Sequence, residues 1–189
     1  MTDTTPAPLP PRQAAALLGM MPTFLRAEFE AAPEALLRWR PAPEEWCLLE
    51  VVGHLIETEE RGFAGRMRTI LAEERPQFTT WDPSTVARER QDEQRDPVEL
   101  LAEFTRRRTS GVALTEALTA TDLDRGGDHP EVGFLTVNDL IHEWIHHDAN
   151  HLRQLLANVQ SYIWPSMGSA QRFSPPDSSP NASAWRPQH

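Results

Sequence analysis

His147 and His151 stand four residues apart in the run His146-His147-Asp148-Ala149-Asn150-His151. The surrounding stretch, Thr136 to Gln160, carries a helical pattern of apolar residues. Residues i and i+4 of a helix lie one above the other on the same face. Two imidazoles so placed can chelate one divalent cation, with a third ligand arriving from another helix. An overlapping pair competes with them, because His142-Glu143-Trp144-Ile145-His146 reads as H-E-x-x-H, the zinc-protease signature.

A helical wheel separates the two pairs. At about 100° per residue, Val137, Leu140, Ile141, Trp144, Leu152, Leu155 and Val159 gather into one apolar stripe. His147 and His151 fall at one edge of that stripe, facing the interior near its boundary. His142 and His146 fall almost opposite it, beside Asp139, Asn150 and Arg153, and read as a solvated face. The pairs are about 140° apart around the axis, so they cannot share one ion. The protease reading also lacks its remaining parts. Ala149 and Leu152 occupy the Gly and His positions of the extended motif, and the only acids after His146 are Asp148 and Asp177.

Spacing alone fits hydrogen-bonded boundary histidines as well as metal ligands, so a third ligand decides. The other histidines are His54, His129 and His189. His129 precedes Pro130 in a Gly-Gly-Asp-His-Pro loop, and His189 ends the chain. His54 lies in a predicted helix from Leu48 to Ala72, off its stripe of Leu48, Val52, Leu55, Phe63 and Ile70, where periodicity expects exposure.

Three blocks of sequence resemble the DinB/YfiT-like superfamily. Trp46-Cys47-Leu48-Leu49-Glu50-Val51-Val52-Gly53-His54-Leu55, followed by Glu59, is similar to that family's second helix, where a Trp-Ser start leads into a Gly-His-Leu ligand segment. Asp128-His129-Pro130-Glu131-Val132-Gly133-Phe134-Leu135-Thr136-Val137 resembles the His-Pro-x-x-Gly-x-x-Thr approach to its fourth helix. His147-Asp148-Ala149-Asn150-His151-Leu152-Arg153-Gln154 resembles its H-D-x-x-H-L-x-Q core. The blocks follow the family's order over about Pro11 to Trp164. The resemblance implies that His54, His147 and His151 are the metal ligands. Cys47 departs from the usual Ser or Thr at an expected helix N-cap, a change that bears on helix stability more than on chemistry.

These ligands must be positioned by a small set of helices. Residues 1–11 form a Pro-rich lead-in expected to be disordered, 12–164 the helical domain, and 165–189 a Ser/Pro/Asn-rich tail expected to be disordered. A first helix runs from about Arg12 to Leu37, kinked near Pro22 and Pro33. The second ends near Arg75-Pro76. A long connection from Gln77 to Arg95 holds a short helix around Thr85 to Asp92. The third helix starts at Asp96-Pro97, an N-cap with Pro at the first helical position, and runs to about Ala120. Thr136 caps the fourth, with Asp139 as its capping-box partner. No strand pattern is visible. The expected fold is all-α, a four-helix bundle with crossover connections.

Composition sets the class. The 189 residues suffice for one well-cored domain. With 18 Lys and Arg against 28 Asp and Glu, the net charge of −10 argues against nucleic acid as a partner. The run Arg106-Arg107-Arg108 reads as a solvated helix face. A single cysteine fits a reducing cytoplasm, no apolar run approaches the roughly 20 residues of a membrane span, and the chain's start lacks a signal peptide's apolar core.

Three neutral imidazoles favour zinc, nickel or another late first-row ion, and leave coordination positions for water or a small-molecule substrate. Glu50, Glu57 and Asp148 are candidate acceptors to orient the rings. The resemblance implies either a metal-dependent hydrolase or an S-transferase using a low-molecular-weight thiol. The transferase is the preferred reading, because no general base stands out; a hydrolase would want a carboxylate near the bound water. Arg61 and Arg153 are the basic groups that could receive such a thiol. No catalytic side chain is identified; Cys47, at a helix start that could lower its pKa, is the one thiol. A non-enzymatic, stress-associated metal-binding protein is the alternative from another class. The family also raises a homodimer, to which the six tryptophans could contribute.

Overall fold

The computed structural model describes residues 7–174. Nine α-helices are present among them: α1 (Pro11–Leu18), α2 (Met21–Ala31), α3 (Glu34–Leu37), α4 (Leu48–Glu57), α5 (Phe63–Ala72), α6 (Pro83–Arg90), α7 (Pro97–Glu116), α8 (Ala120–Leu123) and α9 (Val137–Ile163). A π-helical turn, Thr58–Gly62, joins α4 to α5, and 3-10 turns occupy Asp92–Gln94 and Trp164–Phe173.

These pieces assemble into four long rods: α1–α2, α4–α5, α7 and α9. The first rod packs mainly on α7 and α9, and so does the second. The first and second rods therefore stand diagonally, as do α7 and α9, which is the crossover arrangement the long connections predict. Helix starts follow the sequence signals. The Asp96 carboxylate accepts from Val98 N and Glu99 N, and Pro97 fills the first helical position. Thr136 and Asp139 form a reciprocal capping box at the start of α9. The expected first helix is three helices, and the break between the first two falls at Gly19-Met20 rather than at Pro22, which sits in the opening turn of α2.

Two strands depart from the all-helical expectation. β1 (Gly126–His129) and β2 (Gly133–Thr136) pair antiparallel, with Gly126 opposite Thr136 and His129 opposite Gly133. Each is four residues long and relies on glycine, so the alternation that marks a longer strand is missing. A Cβ on Gly126 would stand 2.3 Å from the Leu135 carbonyl oxygen. Gly133 turns the hairpin at φ +80°. The hairpin delivers the chain directly onto the Thr136 cap and so fixes where α9 begins.

The edges of the domain also differ from expectation. Pro11 opens α1, and Leu9 N–H donates to His142 Nε2 at 2.9 Å, so the lead-in is tied to α9. Helical turns continue past Trp164 to Phe173, where a tail was expected. Residues 1–6 and 175–189, including His189, lie outside the described residues. No helix among the described residues is long and apolar enough to cross a membrane.

The core has two parts. One gathers α2, α4 and α7 with Leu155 of α9; the other gathers α1, α5 and the first turns of α9 around Trp144. The five stripe residues of the second rod are all buried. So are Val137, Leu140, Ile141, Trp144 and Leu155 of α9, with Leu152 and Val159 partly covered. The seam between the two parts is where the imidazoles meet.

Candidate metal centre

His54 comes from α4, His147 and His151 from α9. Periodicity expected His54 to be exposed, but every other residue of Leu48–Glu57 is buried, so the helix has no solvent face to give it. His54 is itself largely covered, with its ring 5.0 Å from that of Trp46. The π turn below it matters as well. In an uninterrupted α-helix, nine residues would put His54 and Phe63 about 180° apart. The wider turn takes up an extra residue and changes that phase. Both rings then stand against His147, each at a centroid distance of 5.1 Å.

The three Nε2 atoms converge. His54 Nε2 is 3.1 Å from His147 Nε2, and His151 Nε2 is 3.2 Å from the same atom. One nitrogen from each ring lies within 4.8 Å of the others. Two nitrogens held at about 2.0–2.1 Å by a tetrahedral ion would stand about 3.3 Å apart. The fit to a shared cation is close.

Proton counting supports the same conclusion. Gln154 Oε1, which can only accept, lies 2.9 Å from His151 Nδ1. Nδ1 therefore carries the proton, and the Nε2 lone pair of His151 faces inward. A proton on His147 Nε2 can point to one neighbour alone. Among neutral rings the two short contacts cannot both be hydrogen bonds, because His147 Nε2 either donates or accepts; a cation would bind all three nitrogens at once. The rings are held neutral: burial lowers His54 and His147 well below the ordinary range, with the neighbouring imidazoles adding to it. Burial also brings His151 down to about 4, against the opposing bond to Gln154. His147 Nδ1 is buried with no hydrogen-bond partner among the described residues.

The acceptors expected from sequence do not orient the rings. Glu50 is bonded by Arg40 and by Cys47 N–H. Glu57 is bonded by Arg61 at 2.6 Å and Arg90 at 2.7 Å. Asp148 is bonded by Arg108. Gln154, three residues beyond His151, takes the orienting role instead. Arg61 is engaged with Glu57 and Arg153 with Asn150.

Arg108 corrects another expectation. Arg106 and Arg107 do line a surface groove, but Arg108 is buried, 1% exposed. It donates from Nε to Glu59 Oε1 at 2.7 Å and from Nη2 to Asp148 Oδ1 at 2.9 Å. Further bonds run from Nη1 to Asp148 and to Leu18 O, Nη2 makes an ion pair with Glu59 Oε1 at 2.6 Å, and Glu59 Oε2 is buried with no hydrogen-bond partner among the described residues. Trp144 Nε1 adds a bond to Glu59 at 3.2 Å. Burial raises both carboxyls, Glu59 to about 7, while the guanidinium pulls each the other way. The signal for Arg108 was present: Leu100, Phe104, Arg108, Gly111 and Thr115 form one stripe of α7, all buried.

The remaining candidates stand apart from the imidazoles. His146 is exposed, whereas His142 is half-buried beneath Leu9 rather than fully solvated. His129 accepts from Glu131 N–H in the hairpin turn. Cys47 holds the N-cap place of α4 but is fully buried, and burial pushes its thiol up to about 12. The helix start does not lower it.

Residues 18–155 match a family model described as the DinB superfamily. Among solved structures, the fold is similar to that of YfiT from Bacillus subtilis, described as "a probable metal-dependent hydrolase with an unusual four-helix bundle topology". That likeness has a TM-score of 0.74 and 19% identity, and covers 85% of this chain and 91% of the other. Comparison with curated proteins gives no match.

Proposed function

The chain belongs to the DinB superfamily, and we propose that it is a metal-dependent enzyme in which His54, His147 and His151 hold one late first-row divalent ion, zinc or nickel before others. The observation that carries this reading is the meeting of three Nε2 atoms, with that of His147 3.1 Å and 3.2 Å from the other two. Imidazole nitrogen suits zinc and nickel, whereas magnesium and calcium call for oxygen. Three protein ligands leave coordination open to a small molecule. When bound, the ion supplies Lewis acidity and lowers the pKa of a coordinated nucleophile. The chain's own part is to keep the rings neutral, to fix the tautomer of His151 through Gln154, and to wall the site with Trp46 and Phe63.

Water is the nucleophile we favour, which makes the protein a hydrolase acting on a small-molecule substrate. This agrees with what is said of YfiT. Transfer to a low-molecular-weight thiol is the second reading. The all-imidazole ligand group favours it, since no carboxylate joins that group among the described residues. The engagement of Arg61 and Arg153 by other side chains counts against a thiol that carries carboxylates.

Metal analysis of tag-free protein tests the site. About one ion per chain is expected in the wild type, with a large loss in His147→Ala; equal content in the two would end the assignment. Assays of the loaded protein on model esters, amides and electrophiles then separate the chemistries. Turnover without added thiol supports hydrolysis, and strict dependence on thiol supports transfer. Bound metal with neither activity would identify a non-enzymatic binding protein.

A further inference from the structure

Arg108 reaches both elements that carry the imidazoles. Asp148 directly follows His147 and precedes His151 by three residues on α9. Glu59 lies five residues beyond His54, on the π turn that continues α4. From α7, one planar guanidinium bonds both carboxylates, and a further bond to Leu18 O adds the end of α1. Nε–H bonds Glu59, Nη1 bonds Leu18 O and Asp148, and Nη2 bonds Asp148 and makes an ion pair with Glu59, whose Oε2 has no hydrogen-bond partner among the described residues. The Phe104 and Trp144 rings each lie 5.0 Å from its Cζ.

We infer that Arg108 is a positioning residue of the metal centre, setting the gap between the α4–π element and α9 across which His54 faces His147 and His151. The inference rests on the proposed metal centre and goes beyond it. A metal site works only when its ligands are held within about 0.5 Å of the right geometry. A rigid guanidinium fork holding two carboxylates supplies that constraint in a way that apolar packing or a flexible ammonium does not. Net stabilisation is a weak reason for such a cluster, because burying ions costs about as much as their attraction returns.

Arg108→Lys keeps the charge and removes the fork; Glu59→Gln keeps the volume and weakens one arm. Both are compared with wild type, folded by circular dichroism, for affinity towards zinc in competition with a chelator and for the visible spectrum of the cobalt-loaded protein. Arg108→Lys is expected to bind zinc at least about tenfold more weakly, with an altered cobalt spectrum. Glu59→Gln is expected to show a smaller loss in the same direction. Wild-type affinity and spectrum in the folded variants would overturn the inference, because a purely structural role moves the melting temperature alone. If Arg108→Lys does not fold, Glu59→Gln decides by the same two readouts. If the wild type binds no metal, the metal-centre reading falls and takes this inference with it; metal binding indifferent to both variants sinks this inference only.

Discussion

Where Arg108, Glu59 and Asp148 meet, one guanidinium is hydrogen-bonded to both carboxylates and pairs a positive charge with two negative ones. Where His54, His147 and His151 meet, three nitrogens face one another, two of their contacts being 3.1 Å and 3.2 Å. Both clusters are buried, both draw on α9, and both join elements far apart in sequence. The first is closed in charge, its guanidinium matched by two carboxylates although Glu59 Oε2 has no hydrogen-bond partner among the described residues, whereas the second is open, three like nitrogen donors with no opposite charge among them. Burial of polar groups therefore does not by itself mark a binding site; what separates the two clusters is whether opposite charges are already present. The closed cluster joins α7 to α9 and to the π turn, and the open one is the proposed ligand group.

Breaking the closed cluster has the largest expected effect on stability. Asp148→Ala leaves the buried guanidinium with one carboxylate in place of two, at a cost of about 3–5 kcal/mol. Thermal unfolding should shift down by on the order of 10 °C, and a shift under about 2 °C would mean that the cluster is not closed as described. Gly111→Ala strains the same region by volume. The new Cβ would come within 2.4 Å of Trp144 Cη2 and 3.2 Å of Glu59 Oε2. Overpacking of this kind costs about 1–3 kcal/mol, measurable in denaturant; unchanged stability would show that Trp144 has room to move.

The open cluster should respond differently. Gln154→Leu removes the acceptor that fixes His151 and should lower zinc affinity by roughly 10–100-fold with little change in folding. Unchanged affinity would show that His151 is oriented without it. The smallest effect belongs to His146→Ala. His146 is exposed, so metal content should hold and stability should stay within roughly 0.5 kcal/mol of wild type. Loss of the ion would bring back the H-E-x-x-H pair as the ligand set.

Much of this arrangement was legible in the chain. The apolar stripes of the second rod and of α9, and the caps at Asp96 and Thr136, are local signals, and the structure keeps them. The i, i+4 spacing placed His147 and His151 on one face. His54 could not be found by periodicity, because α4 is buried almost all round and the π turn breaks the phase beyond it; family resemblance pointed to it instead. Arg108 was hidden by its neighbours. Three consecutive arginines on a helix point in three directions, so one can be buried while the run as a whole reads as solvated. Its place in the Leu100-Phe104-Arg108-Gly111-Thr115 stripe was the readable sign. The hairpin left little trace because its short strands depend on close backbone approach at glycine.

X-ray absorption at the edge of the bound metal tests the central claim most directly. The account predicts three imidazole scatterers per ion at about 2.0–2.1 Å in the wild type, and two in a His54→Ala variant that still retains metal. A spectrum dominated by oxygen ligands, or one unchanged by removal of His54, would contradict it.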